Sequence, residues 1–198
     1  MMTEIIKAGP KAVSTAAEVL ARGGVIIYPT ETLYGIGVDA TNSEAMSKLI
    51  EMKKRKGEKT EQILVAYSDI AMAKKYLTIT KEADILAKRF MPGPLSLVLR
   101  DKQGNRARLR IPERKITLGI IKKFGGPITS TSANISGEEN IYKISDIIKK
   151  FGGKVDLIID DGNIPRRKAS TVFDMETMKI LREGPISKKQ IEDALKLV

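Results

Sequence analysis

The chain of 198 residues contains no cysteine and no histidine, which excludes disulfides, thiolate or imidazole metal ligands, cysteine nucleophiles and histidine-based catalytic triads. Its net charge of +11 favours polyanionic ligands such as nucleotides or RNA, and its hydroxyl, carboxylate, Lys and Arg side chains suit phosphate chemistry. No apolar run approaches the roughly 20 residues of a membrane-spanning helix, and the N-terminus lacks the pattern of a secretion signal, so we expect a cytoplasmic protein without a membrane partner.

Hydrophobic periodicity predicts three units in which a helix ends at glycine and a buried strand follows. In the first unit, residues 12–22 form the helix, Gly23 ends it, and residues 25–28 form the strand. The same order of an apolar helix, a Gly-Gly pair and a β-branched run recurs around residues 125 and 152. Strands that are separated by helices can pair in parallel, so these units favour an α/β fold.

Capping residues predict where the other helices begin. Thr41 and Glu44 have the spacing of a capping box and predict a helix that runs to about Lys54. Three further hydroxyl residues precede helical stretches and are predicted N-caps, namely Ser68, Thr80 and Ser187.

Short β-branched or alternating runs predict the remaining strands, at residues 63–67, 95–99, 107–111, 170–175 and 178–183. A turn at Thr177 separates the last two strands and predicts an antiparallel hairpin. Taken with the helical connections, these elements predict an α/β fold in which a twisted, open, mixed β-sheet carries helices on its faces. No linker or repeat divides the sequence, so we expect a single domain over residues 1–198.

Two loops are dense in side chains that could bind a ligand. The segment YPTETLYGIGVDA, residues 28–40, leads from a strand into a turn where Thr30, Glu31 and Thr32 are adjacent. Ligands of α/β sheets bind where strands end and loops open, although hydroxyls that cap the backbone of a tight turn would explain part of this pattern. The segment PITSTSANISG, residues 127–137, could likewise bond phosphate or ribose, or its own backbone.

Basic residues offer a second kind of binding group. Lys53 and Arg55 would face the same side of an extended segment and could grip a triphosphate, whereas a solvated basic helix end is the alternative interpretation. Arg110 lies at the end of an apolar strand, where a guanidinium can hold a carboxylate through two hydrogen bonds.

Seven segments, in this order along the chain, resemble those of the YrdC family of threonylcarbamoyl-AMP synthases: YPTETLYGIG, KKR, MPGPLSLVL, RIP, TSANISG, STVFD and ILREG. The resemblance covers about residues 15–186. It implies a YrdC-like α/β fold with a basic concave surface, and a nucleotidyltransferase that converts L-threonine, bicarbonate and ATP into threonylcarbamoyl-AMP and pyrophosphate. The product would serve the threonylcarbamoyl modification (t6A) of adenosine 37 in tRNA, and Mg²⁺ would accompany the ATP.

The resemblance also implies roles for individual residues and partners. The catalytic residues would be Lys53 and Arg55. The nucleotide would be bound by Lys53, Arg55, Ser132, Asn134 and Arg182. L-Threonine would be bound by Thr32, Arg110 and Ser170. Expected macromolecular partners are a downstream threonylcarbamoyl transferase of the KEOPS type and tRNA or double-stranded RNA.

The sequence departs from the family pattern at two positions. Ala66 stands about where members often carry a His near the threonine site, and Lys56 replaces the Pro that commonly follows Lys-x-Arg. We see no counterpart of the C-terminal domain of the two-domain members, and therefore expect the short, single-domain form.

Three other functions share some of these features. A module that binds double-stranded RNA or tRNA without synthase activity would use the basic charge, but it has no need of hydroxyl-rich loops and usually has more stacking aromatics than the 5% found here. A carbamoyl-transfer module like that of hydrogenase maturation proteins comes with cysteine zinc fingers. A paralogous branch of the family, of unclear activity, lacks the combination of a Lys-x-Arg motif, here Lys53 and Arg55, with a Ser-x-Asn motif, here Ser132 and Asn134.

Overall fold

In the computed structural model, the described residues are 2–53 and 63–196, and they form twelve strands and seven helices. The strands are β1 (Glu4–Lys7), β2 (Ile26–Pro29), β3 (Tyr34–Gly37), β4 (Leu64–Ala66), β5 (Leu77–Thr78), β6 (Leu95–Asp101), β7 (Arg106–Arg110), β8 (Ile128–Thr129), β9 (Thr131–Ser132), β10 (Leu157–Asp160), β11 (Thr171–Asp174) and β12 (Lys179–Arg182). The helices are α1 (Pro10–Ala21), α2 (Ser43–Met52), α3 (Ile70–Tyr76), α4 (Lys81–Phe90), α5 (Lys115–Phe124), α6 (Ile144–Phe151) and α7 (Lys188–Lys196).

The strands form two mixed sheets. The first sheet has the order β1-β10-β2-β3-β9, in which β1, β10 and β2 are parallel and β3 and β9 continue antiparallel. The second has the order β12-β11-β6-β7-β4-β8, and β5 pairs with β6 beside that path. The predicted hairpin is the antiparallel pair β11 and β12. The α/β class with an open mixed sheet is confirmed, and the strands are divided between two such sheets.

Side-chain alternation decides which face of the first sheet each helix covers. Ile26 and Tyr28 of β2 pack with α1 and α5, whereas Ile27 packs with α2 and α6. Successive side chains of a strand point to opposite faces, so both faces of this sheet are buried under helices.

The second sheet is covered by helices on one face. Leu109 of β7 packs with α3, α4 and α7. Arg108 and Arg110 flank Leu109, and Ser96 interrupts the apolar run of β6. By the same alternation, these three polar residues lie on the face away from those helices. The polar face of the second sheet is therefore free to border a binding site.

The ends of several helices form as the sequence predicts. Thr80 Oγ1 accepts a hydrogen bond from the Ala83 N–H (3.2 Å) at the start of α4, and Ser187 Oγ accepts one from the Gln190 N–H (3.3 Å) before α7. Helix α5 ends at Gly125, whose φ of 82° is left-handed and favours glycine. None of the helices in the part of the chain that the structure describes is long and apolar enough to cross a bilayer.

Two predicted caps are wrong by one residue. Asn42, not Thr41, caps α2, because its Oδ1 accepts from the N–H groups of Glu44 (3.0 Å) and Ala45 (3.1 Å). Thr41 Oγ1 instead donates to Asp39 (2.7 Å). An amide or carboxylate oxygen caps as well as a hydroxyl, and Asp69 replaces Ser68 as the cap of α3 in the same way.

A pair of substitutions distinguishes these two caps. Asn42→Ala should lower the free energy of unfolding by about 1 kcal/mol, because two N–H groups at the start of α2 lose their acceptor. Thr41→Ala, the matched control, should change it by less than about 0.5 kcal/mol, as is usual for surface sites. Urea unfolding measures both values, and a larger loss for Thr41→Ala would contradict the cap assignment.

Candidate active site

A cavity of about 190 Å³ lies where the two sheets meet. The first sheet contributes the turn after β2 and strand β9, and the second contributes its polar face. Ser130, between β8 and β9, lines the cavity, and those two strands belong to different sheets. Five of the predicted site residues line the cavity, namely Thr32, Arg110, Ser132, Ser170 and Arg182.

Lys53 donates hydrogen bonds to the turn that contains Ser132 and Asn134, which we call the Ser-x-Asn turn. Its side chain is buried at the end of α2, where Nζ donates to Ser132 O (2.6 Å) and to Asn134 Oδ1 (2.9 Å). Ser132 Oγ also donates to Asn134 Oδ1 (2.7 Å). We call this hydrogen-bonded group the Lys53–Ser132–Asn134 cluster. It brings together residues 79 positions apart in the chain, which the family resemblance assigns to the same nucleotide.

The burial of Lys53 has an electrostatic consequence. An ammonium group is tolerated in the interior only when oxygens replace its lost hydration. Ser132 O and Asn134 Oδ1 are the oxygens that replace this hydration. The Lys53 ammonium group therefore needs the Ser-x-Asn turn in order to be buried, and the turn is held in place by the ammonium group. Arg55 and Lys56, which the sequence analysis also singles out, lie outside the described residues.

Arg182 and Ser170 are in direct contact. Arg182 Nε donates to Ser170 O and Nη2 donates to Ser170 Oγ, both at 3.0 Å. Ser170 Oγ lies 2.9 Å from the buried Ser96 Oγ. The family resemblance implies that Arg182 binds the nucleotide and that Ser170 binds threonine. Because the two residues are in contact, these two predicted subsites would share a boundary.

Two polar residues that line the cavity from strands of the second sheet were missed by the sequence analysis. Ser96 is a lone polar residue within the apolar run LSLVL, and Arg108 lies two positions from Arg110 in β7. Both follow the period of a strand, which places a polar residue on the face opposite its apolar neighbours. That alternation could have revealed them once the strands were assigned.

Arg110 is a buried cation with an acidic partner. Its Nη2 donates to Glu31 Oε1, and both side chains are largely buried. Burial, and then the positive charge of Arg182, lowers the pKa of Arg110 to about 10. Arg110 is therefore still protonated at neutral pH. A charged guanidinium that borders a cavity is suited to bind a carboxylate or a phosphate.

The turn after β2 is held in place by one of its own hydroxyls and by α5. Thr30 Oγ1 donates to Leu33 O (2.6 Å) and accepts from the Leu33 N–H (3.1 Å). Arg114 Nη1 donates to Thr30 O (3.1 Å), while its Nε donates to Asp161 Oδ2 (3.0 Å). The capping interpretation thus holds for Thr30, and both Thr30 and Thr32 line the cavity.

Ala66 is fully buried and faces a strand that carries a site residue. It lies opposite Arg110 in the parallel pair β4 and β7, and packs in the same apolar cluster as Tyr28 and Ile128. The position at which the family resemblance leads us to expect a His is thus apolar here and adjacent to Arg110.

Another cavity is lined by none of the predicted site residues that the structure describes. This larger cavity, of about 710 Å³, is bordered by the loop after α1 and by residues of α2 and α6, among them Gly23 and Met52. Within residues 2–53 and 63–196, no group of three or more carboxylates is arranged to hold a metal ion.

Comparisons with known proteins match nearly the whole chain. A family model described as Sua5_yciO_yrdC, telomere recombination, matches residues 18–184. The threonylcarbamoyl-AMP synthase of Pyrococcus abyssi is 32% identical over an alignment of 192 positions, which covers 91% of this chain and 56% of that protein. A Methanocaldococcus jannaschii protein, assigned provisionally to the same activity, is 35% identical over an alignment of 178 positions, which covers 84% of this chain and 83% of the relative. The chain thus spans little more than half the length of the Pyrococcus abyssi relative.

A solved structure has the same fold. The crystal structure of Pyrococcus abyssi Sua5 in complex with L-threonine superposes with a TM-score of 0.87 at 28% identity, over 98% of this chain and 61% of that one.

Replacing the buried ammonium tests the Lys53–Ser132–Asn134 cluster. Lys53→Met should lower the free energy of unfolding by roughly 1.5–3 kcal/mol, because Ser132 O and Asn134 Oδ1 lose a charged donor. Amide hydrogen exchange at residues 131–138 should become faster. Lys48→Met, on an exposed face of the same helix, is the matched control and should leave both measurements nearly unchanged. Unaltered exchange in Lys53→Met would rule out a structural role for this lysine.

Proposed function

Since this chain belongs to the Sua5/YciO/YrdC family, we propose that it forms threonylcarbamoyl-AMP from L-threonine, bicarbonate and ATP, with release of pyrophosphate. The observation that carries this proposal is that the Lys53–Ser132–Asn134 cluster and Arg110 belong to one site, because Ser132 and Arg110 line the same cavity. Two comparisons with Pyrococcus abyssi proteins support this choice of substrates. One relative is named a threonylcarbamoyl-AMP synthase, and the solved structure of Sua5 contains bound L-threonine.

The threonine subsite is proposed at the polar face of the second sheet. Arg110 would bind the carboxylate of threonine, and Ser170 and Thr32 would offer hydroxyls to its remaining polar groups. A cavity of about 190 Å³ is smaller than the roughly 300–1,000 Å³ of typical small-molecule sites, which suits an amino acid better than a nucleotide. The nucleotide would therefore extend beyond this cavity, past Ser132.

The nucleotide subsite is proposed around the Ser-x-Asn turn. Lys53, Arg55 and Arg182 would supply positive charge, and Ser132 and Asn134 would orient the phosphates or the ribose. Mg²⁺ enters the proposal as part of the Mg-ATP substrate, in which it is held by phosphate oxygens.

The proposed reaction requires no nucleophile from the protein. Bicarbonate takes up a proton and gives carbon dioxide and water. The neutral amine of threonine adds to the carbon dioxide and releases a proton, and an oxygen of the resulting carbamate attacks the α-phosphorus of ATP. The bond from the α-phosphorus to the bridging oxygen breaks, and pyrophosphate leaves with the electron pair. What the protein must contribute is alignment of the two substrates and neutralisation of the charge on the leaving group. Cationic and hydroxyl side chains of the proposed site can do both.

The wider role is proposed from the same activity. The adenylate would supply the threonylcarbamoyl group for t6A at adenosine 37 of tRNA, through a downstream transferase of the KEOPS type, in the cytoplasm. The net charge of +11 supports an additional affinity for tRNA or double-stranded RNA.

Pyrophosphate release tests the activity. The purified protein with Mg-ATP, L-threonine and bicarbonate should release pyrophosphate, and omission of either threonine or bicarbonate should abolish the release. Lys53→Ala and Arg55→Ala should each lower the rate by about a hundredfold, because the leaving group loses a stabilising charge. Thermal melting separates this loss from unfolding of the variant. Pyrophosphate release without threonine would contradict the proposal, and RNA binding without any release would favour the non-enzymatic RNA-binding module.

Calorimetry tests the assignment of Arg110. Arg110→Lys keeps the charge that balances Glu31 but loses the planar, two-pronged grip on a carboxylate. It should weaken threonine binding by at least about tenfold and leave the affinity for ATP nearly unchanged. Arg100→Lys, on the exposed part of β6, is the control for the same substitution elsewhere. Equal weakening of threonine and ATP would contradict the separation into two subsites.

A further inference from the structure

The ion pair between Glu31 and Arg110 is incompletely satisfied. The Glu31 and Arg110 side chains are 10% and 7% exposed, and Arg110 Nη2 donates to Glu31 Oε1. Among the residues that the structure describes, Glu31 Oε2 and Arg110 Nε are buried and have no hydrogen-bond partner. Buried polar atoms of native proteins are almost always paired, so each half of this ion pair retains an unused capacity to bind.

The position of Glu31 is set by its turn. Thr30 and Thr32 flank it, and the Arg114 guanidinium fastens the turn by donating to Thr30 O at 3.1 Å. Thr32 lines the cavity, as does Arg110. Glu31 is therefore held beside the cavity by the structure of this turn. Its carboxylate contacts Arg110, the residue that would bind the carboxylate of threonine in the proposed function.

Charge balance limits which ligands can bind to the Glu31–Arg110 ion pair. A ligand that carries only a carboxylate would take Arg110 and leave Glu31 buried without a counter-charge, which is strongly unfavourable. A zwitterion brings both charges. Its carboxylate replaces Glu31 as the partner of Arg110, and its ammonium replaces Arg110 as the partner of Glu31. The pair thus favours a ligand that has a positive and a negative group close together.

We propose that Glu31 is a specificity-determining residue, which pairs with the ammonium group of the incoming amino acid while Arg110 pairs with its carboxylate. This inference rests on the proposed function, in which Arg110 binds threonine. It adds a residue that neither the sequence nor the comparisons assign, and it predicts that an α-amino acid binds in preference to the corresponding hydroxy acid.

Two ligands separate this role from a structural one. L-Threonine is compared with (2S,3R)-2,3-dihydroxybutanoate, in which a hydroxyl replaces the ammonium group, by isothermal titration calorimetry at pH 7. The wild-type protein should bind threonine at least about tenfold more tightly, since only threonine supplies a partner to Glu31. In Glu31→Gln, the affinity for threonine should fall and the affinity for the hydroxy acid should rise, so that the preference decreases at least about tenfold.

The matched control is Glu113→Gln. Glu113 is an exposed carboxylate whose charge also acts on Arg110, so this variant removes the same charge without touching the pair. It should retain the wild-type preference. Glu31→Asp, which keeps the charge, should retain a preference for threonine even if Glu31→Gln does not fold, and thermal melting establishes which variants are folded.

The outcomes distinguish the two proposals. If the wild-type protein binds threonine and either a folded Glu31→Gln variant keeps the full preference or Glu31→Asp loses it, this inference is overturned and the proposed function stands. If the wild-type protein binds neither ligand, the proposed function is overturned together with the inference.

Discussion

The burial of the Lys53 ammonium between Ser132 O and Asn134 Oδ1 is the interaction on which the arrangement of the site depends. A charge removed from water requires oxygens at hydrogen-bond distance, and here the end of α2 and the turn after β9 must meet to provide them. That requirement places Ser132 on the wall of the cavity. The lysine is thus part of the framework that shapes the site as well as a source of positive charge.

The division of the strands into two sheets gives the site its second wall. Both faces of the first sheet are buried, whereas the second sheet has helices on one face and turns the polar residues of β6 and β7 toward the cavity. Arginines on such a face retain their charge yet are shielded from bulk water. This combination strengthens electrostatic interactions with anionic ligands and makes the balance of charges around Arg110 decisive.

Much of the fold was predictable because its determinants are local. The helix that Thr80 caps, the end of α5 at Gly125 and the hairpin of β11 and β12 all form as their sequences predict. The errors are local too, since Asn42 and Asp69 cap in place of neighbouring hydroxyls. Strand β1 was missed, because its four residues are mostly exposed and it is stabilised by parallel pairing with β10, about 150 residues away along the chain.

By itself, the sequence determined the α/β class, the family and the set of candidate residues, because strand alternation, helix caps and motifs depend on residues that are close together in the chain. Only the tertiary structure decided which candidates meet. It placed Thr30, which caps its own turn, beside Thr32 on the cavity wall, and it joined Glu31 to Arg110. The physical reason is that hydrogen bonds and charge pairs form between atoms that are close in space, and such closeness between distant segments depends on how the sheets and helices pack.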